Sequence, residues 1–442
     1  MLNHQMGIVL RQVSLVLFCV ALVTACGEPP SVPSQTVEPG DGVSDKNPGA
    51  GGPKADGFDQ EAKQCGPFPS YYFQFLDDTQ CIKQVPADRD RSFVCPVEAS
   101  SASVNAPSGD GLLHYEPASA TPTVDDEALK GIVPDDMRIT LVLVRRVNGV
   151  PHYRYLSNGT HAETFQPWST TKFMAIANAG ATLRKESNGW VGLTAEVDGQ
   201  PIGDLVTVVH NYDEETYTSN GLARWFLNIG TRAQLDQFIH DGWLRRPTIE
   251  TLGGNYGHPA AKIGTSFYDS DASLEVSGEE TRGPSNHLST YTIAEFLKRL
   301  VMHREDPELA MPYLRWPDVE TLLYGAENSK RYGPEDPQGM ESDTAVYLQN
   351  AVDAASLEAS TKGRWRVFSK LGFGYSRGGE FVNAGYACIP VFDDNGDIKT
   401  DWGKEFFIVT QMGANEQYHQ SDAKLAQIYK DVVTAVRSGR IK

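Results

Sequence analysis

The pattern of apolar and polar positions predicts a β-hairpin around residue 148. Residues 138–147 (RITLVLVRRV) alternate between the two types and are rich in β-branched side chains, which is typical of a strand with one buried face. Asn148-Gly149 follows, and this dipeptide is a strong signal for a two-residue hairpin turn. Residues 151–157 (PHYRYLS) are therefore expected to form the return strand.

Further along the chain, helical periodicity alternates with strand-like runs. Helical patterns occupy 169–179, 221–240, 291–304 and 421–439, and strand-like runs occupy 364–371, 381–391 and 404–412. The last helix carries one amphipathic face that runs from Leu425 to Val436. Strands near both ends with helices between them predict an α/β (α+β) fold. In this fold a mainly antiparallel sheet is flanked by helices, and an all-α subdomain forms the other side of a cleft.

The first 26 residues are typical of an export signal. Arg11 precedes an almost wholly apolar run, Val13–Val23, which is too short to span a bilayer and suits a signal-peptide core. Val23-Thr24-Ala25-Cys26 has the small residues of a lipobox, in which Cys26 would receive the lipid. The alternative is ordinary signal cleavage, with Cys26 incidental. We therefore expect an exported protein that is anchored by lipid to the bacterial envelope, on its periplasmic or cell-surface side.

Composition divides the rest of the chain into three parts. Residues 27–64 are rich in Pro, Gly and Ser and are predicted to be a disordered tether. Residues 65–130 form a cysteine-containing segment, and residues 131–442 form the main domain. After Cys19 and Cys26 are set aside, Cys65, Cys81, Cys95 and Cys388 remain. In an oxidising compartment these four cysteines can form two disulfides, with three connectivities open.

Charge and motif content limit the classes of function. The formal net charge is -18 and the pI is about 5.0, which argues against a nucleic-acid partner because phosphate backbones need clustered Lys and Arg. The sequence has no HExxH motif and no CxxC pair, so we predict no metal site and no cofactor.

Ser169-x-x-Lys172 is the first candidate for chemistry. A serine hydroxyl needs a base within hydrogen-bonding reach, and positions i and i+3 of a helix share one face. Burial and nearby cations would keep the Lys172 amine neutral part of the time, so that it can accept the proton. Ser421-x-x-Lys424 is a second match to this spacing. Only Ser169 follows a strand hairpin and opens an apolar helix.

Three segments occur in a characteristic order: FQPWSTTKF around Ser169, YTSNGLA around residue 219, and SKLGFG around Lys370. In this order the chain resembles class A β-lactamases and penicillin-binding proteins, whose motif set is S-x-x-K, S-D-N and K-T-G. The resemblance covers residues 136 to 437 and implies the β-lactamase/transpeptidase-like form of the fold predicted above.

For the second motif, the resemblance gives roles to Thr218 and Asn220. Asn220 would hold the amide carbonyl of the substrate, and the Thr218 hydroxyl would relay a proton to the leaving group. Thr stands here in place of the family's Ser. The alternative is a helix N-cap formed by Ser219 or Asn220.

For the third motif, the resemblance implies that Lys370 supplies positive potential and that Gly372 allows close approach of the substrate. The Phe373 amide would complete an oxyanion hole with the Ser169 amide. Leu371 stands where the family has a hydroxyl that binds the substrate carboxylate. Arg377 could take that role or could be a solvent-facing turn residue.

The resemblance also implies a Glu that activates water for deacylation. Glu250 is at about the right distance past Asn220, with Asn255 as its companion, one residue beyond the family spacing. Glu279 and Glu280 lie in the same region and are alternatives, and each of these Glu residues could instead be a solvated loop charge.

Three functions from different classes stay open. The first is a class A-like β-lactamase, a serine hydrolase that opens β-lactam amides through an acyl-serine. The second is a peptidoglycan D-Ala-D-Ala carboxypeptidase or endopeptidase, and the third is a catalytically poor lipoprotein that binds a partner. The expected partners are a β-lactam or a peptidoglycan stem peptide, together with a membrane through the lipid.

Overall fold

The computed structural model describes the part of the chain that contains the main domain. The described residues are 85–96, 106–108, 111–113, 115–118, 122–147, 149–252, 254, 256, 259–270, 272–278, 286–374, 380–398, 404–412 and 418–442. They all belong to one unit, Lys46–Lys442. The predicted signal segment, Cys26, the predicted tether, Cys65 and Cys81 lie outside the described residues.

Fourteen strands lie in the described part of the chain. They are β1 (Ala106–Ser108), β2 (Gly111–Leu113), β3 (Val124–Asp125), β4 (Met137–Val147), β5 (Val150–Leu156), β6 (Thr164–Phe165), β7 (Glu196–Val197), β8 (Gln200–Pro201), β9 (Ser266–Asp269), β10 (Ala272–Glu275), β11 (Leu288–Ser289), β12 (Arg366–Gly374), β13 (Glu380–Cys388) and β14 (Glu405–Met412).

Nine α-helices lie in the same described ranges. They are α1 (Lys172–Glu186), α2 (Ile202–Asn211), α3 (Ser219–Gly230), α4 (Arg232–Gln237), α5 (Thr290–Val301), α6 (Trp316–Tyr324), α7 (Tyr347–Asn350), α8 (Ala354–Thr361) and α9 (Tyr418–Arg437). Short 3-10 turns occur at Trp168–Thr171, Pro307–Leu309 and Gly339–Ser342, and a π turn occurs at Phe238–Gly242.

A six-stranded sheet in the order β12-β13-β14-β4-β5-β3 joins the two ends of the domain. All its neighbours are antiparallel except β3 and β5. Val142 of β4 pairs with Tyr155 of β5, as the predicted hairpin requires. The predicted mixed α/β fold, an antiparallel sheet flanked by helices, is therefore confirmed. The α-rich insertion between β5 and β12 also carries the short strands β6–β11.

Side-chain alternation gives the sheet two buried faces. Along β4, Val142 and Val144 belong to the apolar core shared with α1, α2, α3 and α5. The intervening Leu141 and Leu143 belong to a second core formed with α9. Successive side chains of a strand point to opposite faces, so each face of this strand packs against helices. The cleft-side elements are thus held rigidly against the sheet.

Two helix predictions differ from the structure in a way that matters for the site. The predicted helix 221–240 is divided into α3, α4 and a π turn, because Thr231 adopts φ 55. The predicted helix at 169 begins as the 3-10 turn Trp168–Thr171 and becomes α-helical only at Lys172. Ser169 therefore lies in a tight turn ahead of α1.

A disulfide between Cys95 and Cys388 attaches the N-terminal segment to the end of β13, with the two Cα atoms 5.8 Å apart. The segment is held there by further contacts. The Arg366 guanidinium lies 4.2 Å from the centre of the Phe93 ring and donates a hydrogen bond to the Asp90 carbonyl. Of the connectivities left open by the sequence, the structure contains the one that pairs these two cysteines.

Candidate active site

The turn that carries Ser169 is fixed on both sides. Thr171 Oγ1 donates a hydrogen bond to the Trp168 carbonyl, and Thr170 Oγ1 donates to the Val382 carbonyl of β13. Trp168 itself adopts φ 51, a left-handed conformation that is unfavourable for a residue with a side chain. Ser169 itself is half-buried.

Lys172, in the first turn of α1, is fully buried. Its Nζ donates a 2.9 Å hydrogen bond to Ser219 Oγ, and Ser219 Oγ donates to the Val209 carbonyl. The close approach of the Lys172 amine to Ser169 Oγ stays a prediction. The structure shows that Lys172, the residue that follows the turn, contacts the first residue of α3.

The hydroxyl that contacts Lys172 belongs to Ser219 and not to Thr218. Thr218 is exposed and caps α3, accepting a hydrogen bond from the Gly221 backbone N–H at 3.0 Å. The relay role predicted for Thr218 stays a prediction; the structure shows its hydroxyl oxygen used as the N-cap of α3. Asn220 lies half-buried in the first turn of α3.

Lys370 lies within a buried polar network. Its Nζ donates to Asp343 Oδ1 at 2.9 Å and to the Tyr212 hydroxyl at 3.0 Å, and neither charged side chain is exposed. Burial alone would lower the pKa of Lys370, but the Asp343 carboxylate and the Tyr212 hydroxyl outweigh it and raise that pKa above its usual value. Lys370 is accordingly a fixed positive charge.

Tyr212 lies between the two lysines. Its ring centre is 5.3 Å from Lys172 Nζ and 4.6 Å from Lys370 Nζ, and its backbone is left-handed, with φ 57, where α2 ends. Burial, with Lys370 nearby, lowers the pKa of His210 to about 3. His210 is therefore neutral at pH 7 and adds no charge to the network.

Strand β12 places the third motif along one edge of the sheet. The Leu371 backbone N–H donates to Asp343 Oδ2 on the edge not paired with β13. Since alternate amides of a strand point to the same edge, the Phe373 N–H points to that edge too. The Leu371 side chain is buried in the apolar core shared with α9 and so cannot bind a substrate.

Gly372 lies directly behind the turn that carries Ser169. A Cβ atom at this position would lie 2.4 Å from both the Pro167 carbonyl oxygen and Thr170 Oγ1. Only glycine lets β12 and the turn approach this closely. The Phe373 amide and the Ser169 turn are thus brought to the same end of the cleft.

Glu250 is engaged in a structural network. It is buried, and its carboxylate accepts hydrogen bonds from Arg246 Nη2 at 3.3 Å and Ser289 Oγ at 3.2 Å. Tyr256, six residues further along the chain, lies near Lys172. Its ring centre is 5.8 Å from Lys172 Nζ, and burial raises the pKa of Tyr256 to about 12.

The remaining sequence candidates, Asn255, Glu279, Glu280 and Arg377, lie outside the described residues. Ser219, Tyr212, Tyr256 and Asp343 form part of the site without having been assigned a role from the sequence. Of these, only Ser219 carried a signal, since it lies inside the second motif. Within the described ranges, no group of three or more His, Cys, Asp or Glu side chains could hold a metal ion. No described helix is long and apolar enough to cross a membrane.

Comparison with known proteins finds similarity in structure alone. No protein-family model and no curated protein matches the chain. Among solved structures, it is similar to a class A β-lactamase from Mycobacterium abscessus, with 13% identity over 70% of this chain and 98% of the other and a TM-score of 0.39. It is also similar to a β-lactamase from Burkholderia vietnamiensis, with 11% identity, coverages of 68% and 91% and a TM-score of 0.37. A third is the class A β-lactamase of the last common ancestor of Gram-negative bacteria, with 15% identity, coverages of 68% and 94% and a TM-score of 0.37.

Proposed function

We propose that the protein is an active-site-serine hydrolase that forms an acyl-serine intermediate on Ser169. The observation that carries this proposal is the hydrogen bond from Nζ of the fully buried Lys172 to Ser219 Oγ; Lys172 begins the helix that Ser169 precedes. Lys172 follows Ser169 by three residues and contacts the Ser219 hydroxyl, so we assign the roles of nucleophile, base and second hydroxyl of an acyl-transfer site to these three residues.

In the proposed acylation, Ser169 Oγ attacks the amide carbonyl of the substrate and its proton passes to the Lys172 amine. This step uses Lys172 in its neutral form, which is the form that accepts a proton. The tetrahedral intermediate then collapses, and the carbon–nitrogen bond breaks. The leaving nitrogen receives its proton from Lys172 through the Ser219 hydroxyl, so that proton uptake and release balance.

The negative charge that develops on the carbonyl oxygen needs hydrogen-bond donors. We propose as donors the Ser169 N–H at the start of the 3-10 turn and the Phe373 N–H on the edge of β12 that faces away from β13. Removing one such donor typically slows catalysis about 100- to 1000-fold. Lys370, kept charged by Asp343, adds a positive field on the leaving-group side of the site.

We propose that water releases the acyl group slowly. The carboxylate of Glu250 is already bound by Arg246 and Ser289, which argues against its activating a water molecule beside Ser169. This engagement favours a D-Ala-D-Ala peptidase-like enzyme, with a long-lived penicilloyl adduct, over a rapid β-lactamase. A catalytically poor relative is less well supported. We propose that the Ser219 hydroxyl, which contacts Lys172, acts as the relay. On this proposal the Thr at position 218 does not imply lost activity.

Labelling with a fluorescent penicillin tests the proposal. The wild-type domain is expected to carry the label after denaturing electrophoresis, and Ser169→Ala to carry none. Ser421→Ala is the matched control, since Ser421 begins the second S-x-x-K sequence in the chain, and this variant should label like wild type. Equal labelling of Ser169→Ala and wild type would refute the assignment of the nucleophile.

Export and lipid anchoring through Cys26 are also proposed. They are supported by the signal-like sequence at 13–26 and by the Cys95–Cys388 disulfide, since such bonds form and persist in oxidising compartments. Metabolic labelling of cells with radioactive palmitate is expected to mark the wild-type protein and not Cys26→Ser. Equal incorporation into both proteins would exclude Cys26 as the acceptor.

A further inference from the structure

The residue before the nucleophile forms an unusual pair with a carboxylate. The Trp168 indole Nε1 donates a 2.7 Å hydrogen bond to Glu380 Oε2 at the start of β13. Both residues are half-buried, so each keeps some surface exposed next to Ser169 or its strand. No step of the proposed acylation uses either of them.

The Trp168 ring lies directly on the neighbouring strand. A Cβ atom on Gly374 would fall 1.9 Å from ring atom Cε2, so only glycine leaves room for the indole. Gly374 of β12 is paired with Glu380 of β13, which explains why the indole reaches that carboxylate. The left-handed backbone of Trp168, φ 51, persists because contacts with the strand and with Glu380 hold the ring in place.

The direction of β12 relates this pair to the bound substrate. Lys370 lies at one end of the cleft edge and Gly374 at the other, four residues or roughly 13 Å along the strand. In the proposed mechanism the leaving group lies toward Lys370 and Ser219. The acyl portion of the substrate therefore extends past Phe373 toward Gly374, Trp168 and Glu380.

We infer that Trp168 and Glu380 select acyl donors that carry a positive charge near the reacting carbonyl. The inference rests on the proposed acyl-serine function and names its substrate class. A carboxylate attracts an ammonium group and repels another carboxylate, and an indole face adds a cation–π contribution. The substrate that fits is a peptide or β-lactam whose acyl side bears a free amine, such as the side-chain amine of a diamino acid.

Three penicillins that share one frame test this selection. At pH 6 ampicillin carries an ammonium on its side chain, carbenicillin carries a carboxylate at the same carbon, and benzylpenicillin carries neither. Acylation rate constants are measured for each by intact-mass spectrometry. We expect ampicillin to acylate the wild type faster than carbenicillin. Glu380→Gln should reduce the ratio of the two rates roughly fivefold or more, and Glu380→Lys should reverse the order.

The control variant is Glu186→Gln. Glu186 is exposed at the far end of α1, about 20 Å along the helix from Lys172, so the ratio should stay at the wild-type value. Trp168→Phe keeps an aromatic ring and removes the N–H that holds Glu380, and we expect an intermediate ratio.

The outcomes separate the two claims. If benzylpenicillin acylates Ser169 and the ampicillin-to-carbenicillin ratio is the same in wild type, Glu380→Gln and Glu380→Lys, the inference is overturned while the proposed function stands. If none of the three penicillins acylates the wild-type protein, the proposed function falls and the inference falls with it.

Discussion

The buried ion pair between Lys370 and Asp343 gives a prediction whose size follows from the structure. The Lys370 Nζ–Asp343 Oδ1 distance is 2.9 Å, and neither side chain is exposed to solvent. Asp343 also accepts hydrogen bonds from the Leu371 backbone N–H and from Ser369 Oγ. Asp343→Asn keeps the shape of the side chain but leaves the Lys370 charge buried without a counter-charge. The new amide N–H group also faces groups that already donate hydrogen bonds to position 343.

Breaking a buried pair by removing one partner costs about 3–5 kcal/mol, and we expect Asp343→Asn to lose stability in this range. This is a large share of a typical total stability of about 5–15 kcal/mol. The assay is urea unfolding at pH 7 followed by tryptophan fluorescence, comparing midpoints at equal slope. The double variant Asp343→Asn/Lys370→Met removes both charges and is expected to recover part of the loss.

The matched control is an exposed pair of the same type. Lys330 Nζ lies 2.8 Å from Glu196 Oε1, with 54% and 42% of the side chains exposed, and Glu196→Gln should cost less than about 1 kcal/mol. If Asp343→Asn lowers the free energy of unfolding by no more than Glu196→Gln does, the buried charge of Lys370 does not need Asp343 as its counter-charge. The electrostatic account of the site is then refuted.

Three further predictions follow from the positions of other side chains. Ser219→Ala should slow acylation by benzylpenicillin about 100-fold or more. Thr218→Ala should cost only about 1 kcal/mol of stability through loss of the helix cap. If Thr218→Ala instead slows acylation more than Ser219→Ala does, Thr218 is the proton relay. Burial keeps the pKa of His210 near 3 in the folded protein, against about 6.5 when unfolded. Its stabilising contribution is therefore present above pH 6.5 and declines as the pH falls toward 3. The difference between the urea midpoints at pH 7 and pH 4.5 should accordingly be smaller for His210→Gln than for the wild type. Glu250→Gln should lower the urea midpoint and leave the lifetime of the penicilloyl adduct unchanged; an adduct that lasts at least tenfold longer would instead identify Glu250 as the deacylating base.

Local patterns were sufficient for much of the architecture. The alternation in 138–147 and the Asn148-Gly149 signal predicted the hairpin that forms β4 and β5, and the C-terminal periodicity predicted α9. These features depend on neighbours along the chain, so the sequence carries them directly. The pairing of Cys95 with Cys388 spans 293 positions and had no local signal.

The candidate site was less predictable for the same reason. Thr218 and Ser219 are both good helix caps, and only the packing of α3 against α1 decides which hydroxyl meets Lys172. Asp343 stands outside every recognised motif, and the 3-10 turn Gly339–Ser342 brings it to β12. Glu250 was a candidate by spacing alone, and spacing does not reveal that Arg246 and Ser289 hold its carboxylate.

The most direct test of the central claim is time-resolved intact-mass spectrometry of the domain with benzylpenicillin, sampled from seconds to hours and followed by peptide mapping. We predict a mass increase equal to one penicillin, located on Ser169, that persists for many minutes because the Glu250 carboxylate is already held by Arg246 and Ser289. Absence of any adduct, with the penicillin left intact, or an adduct on a residue other than Ser169, would contradict the account.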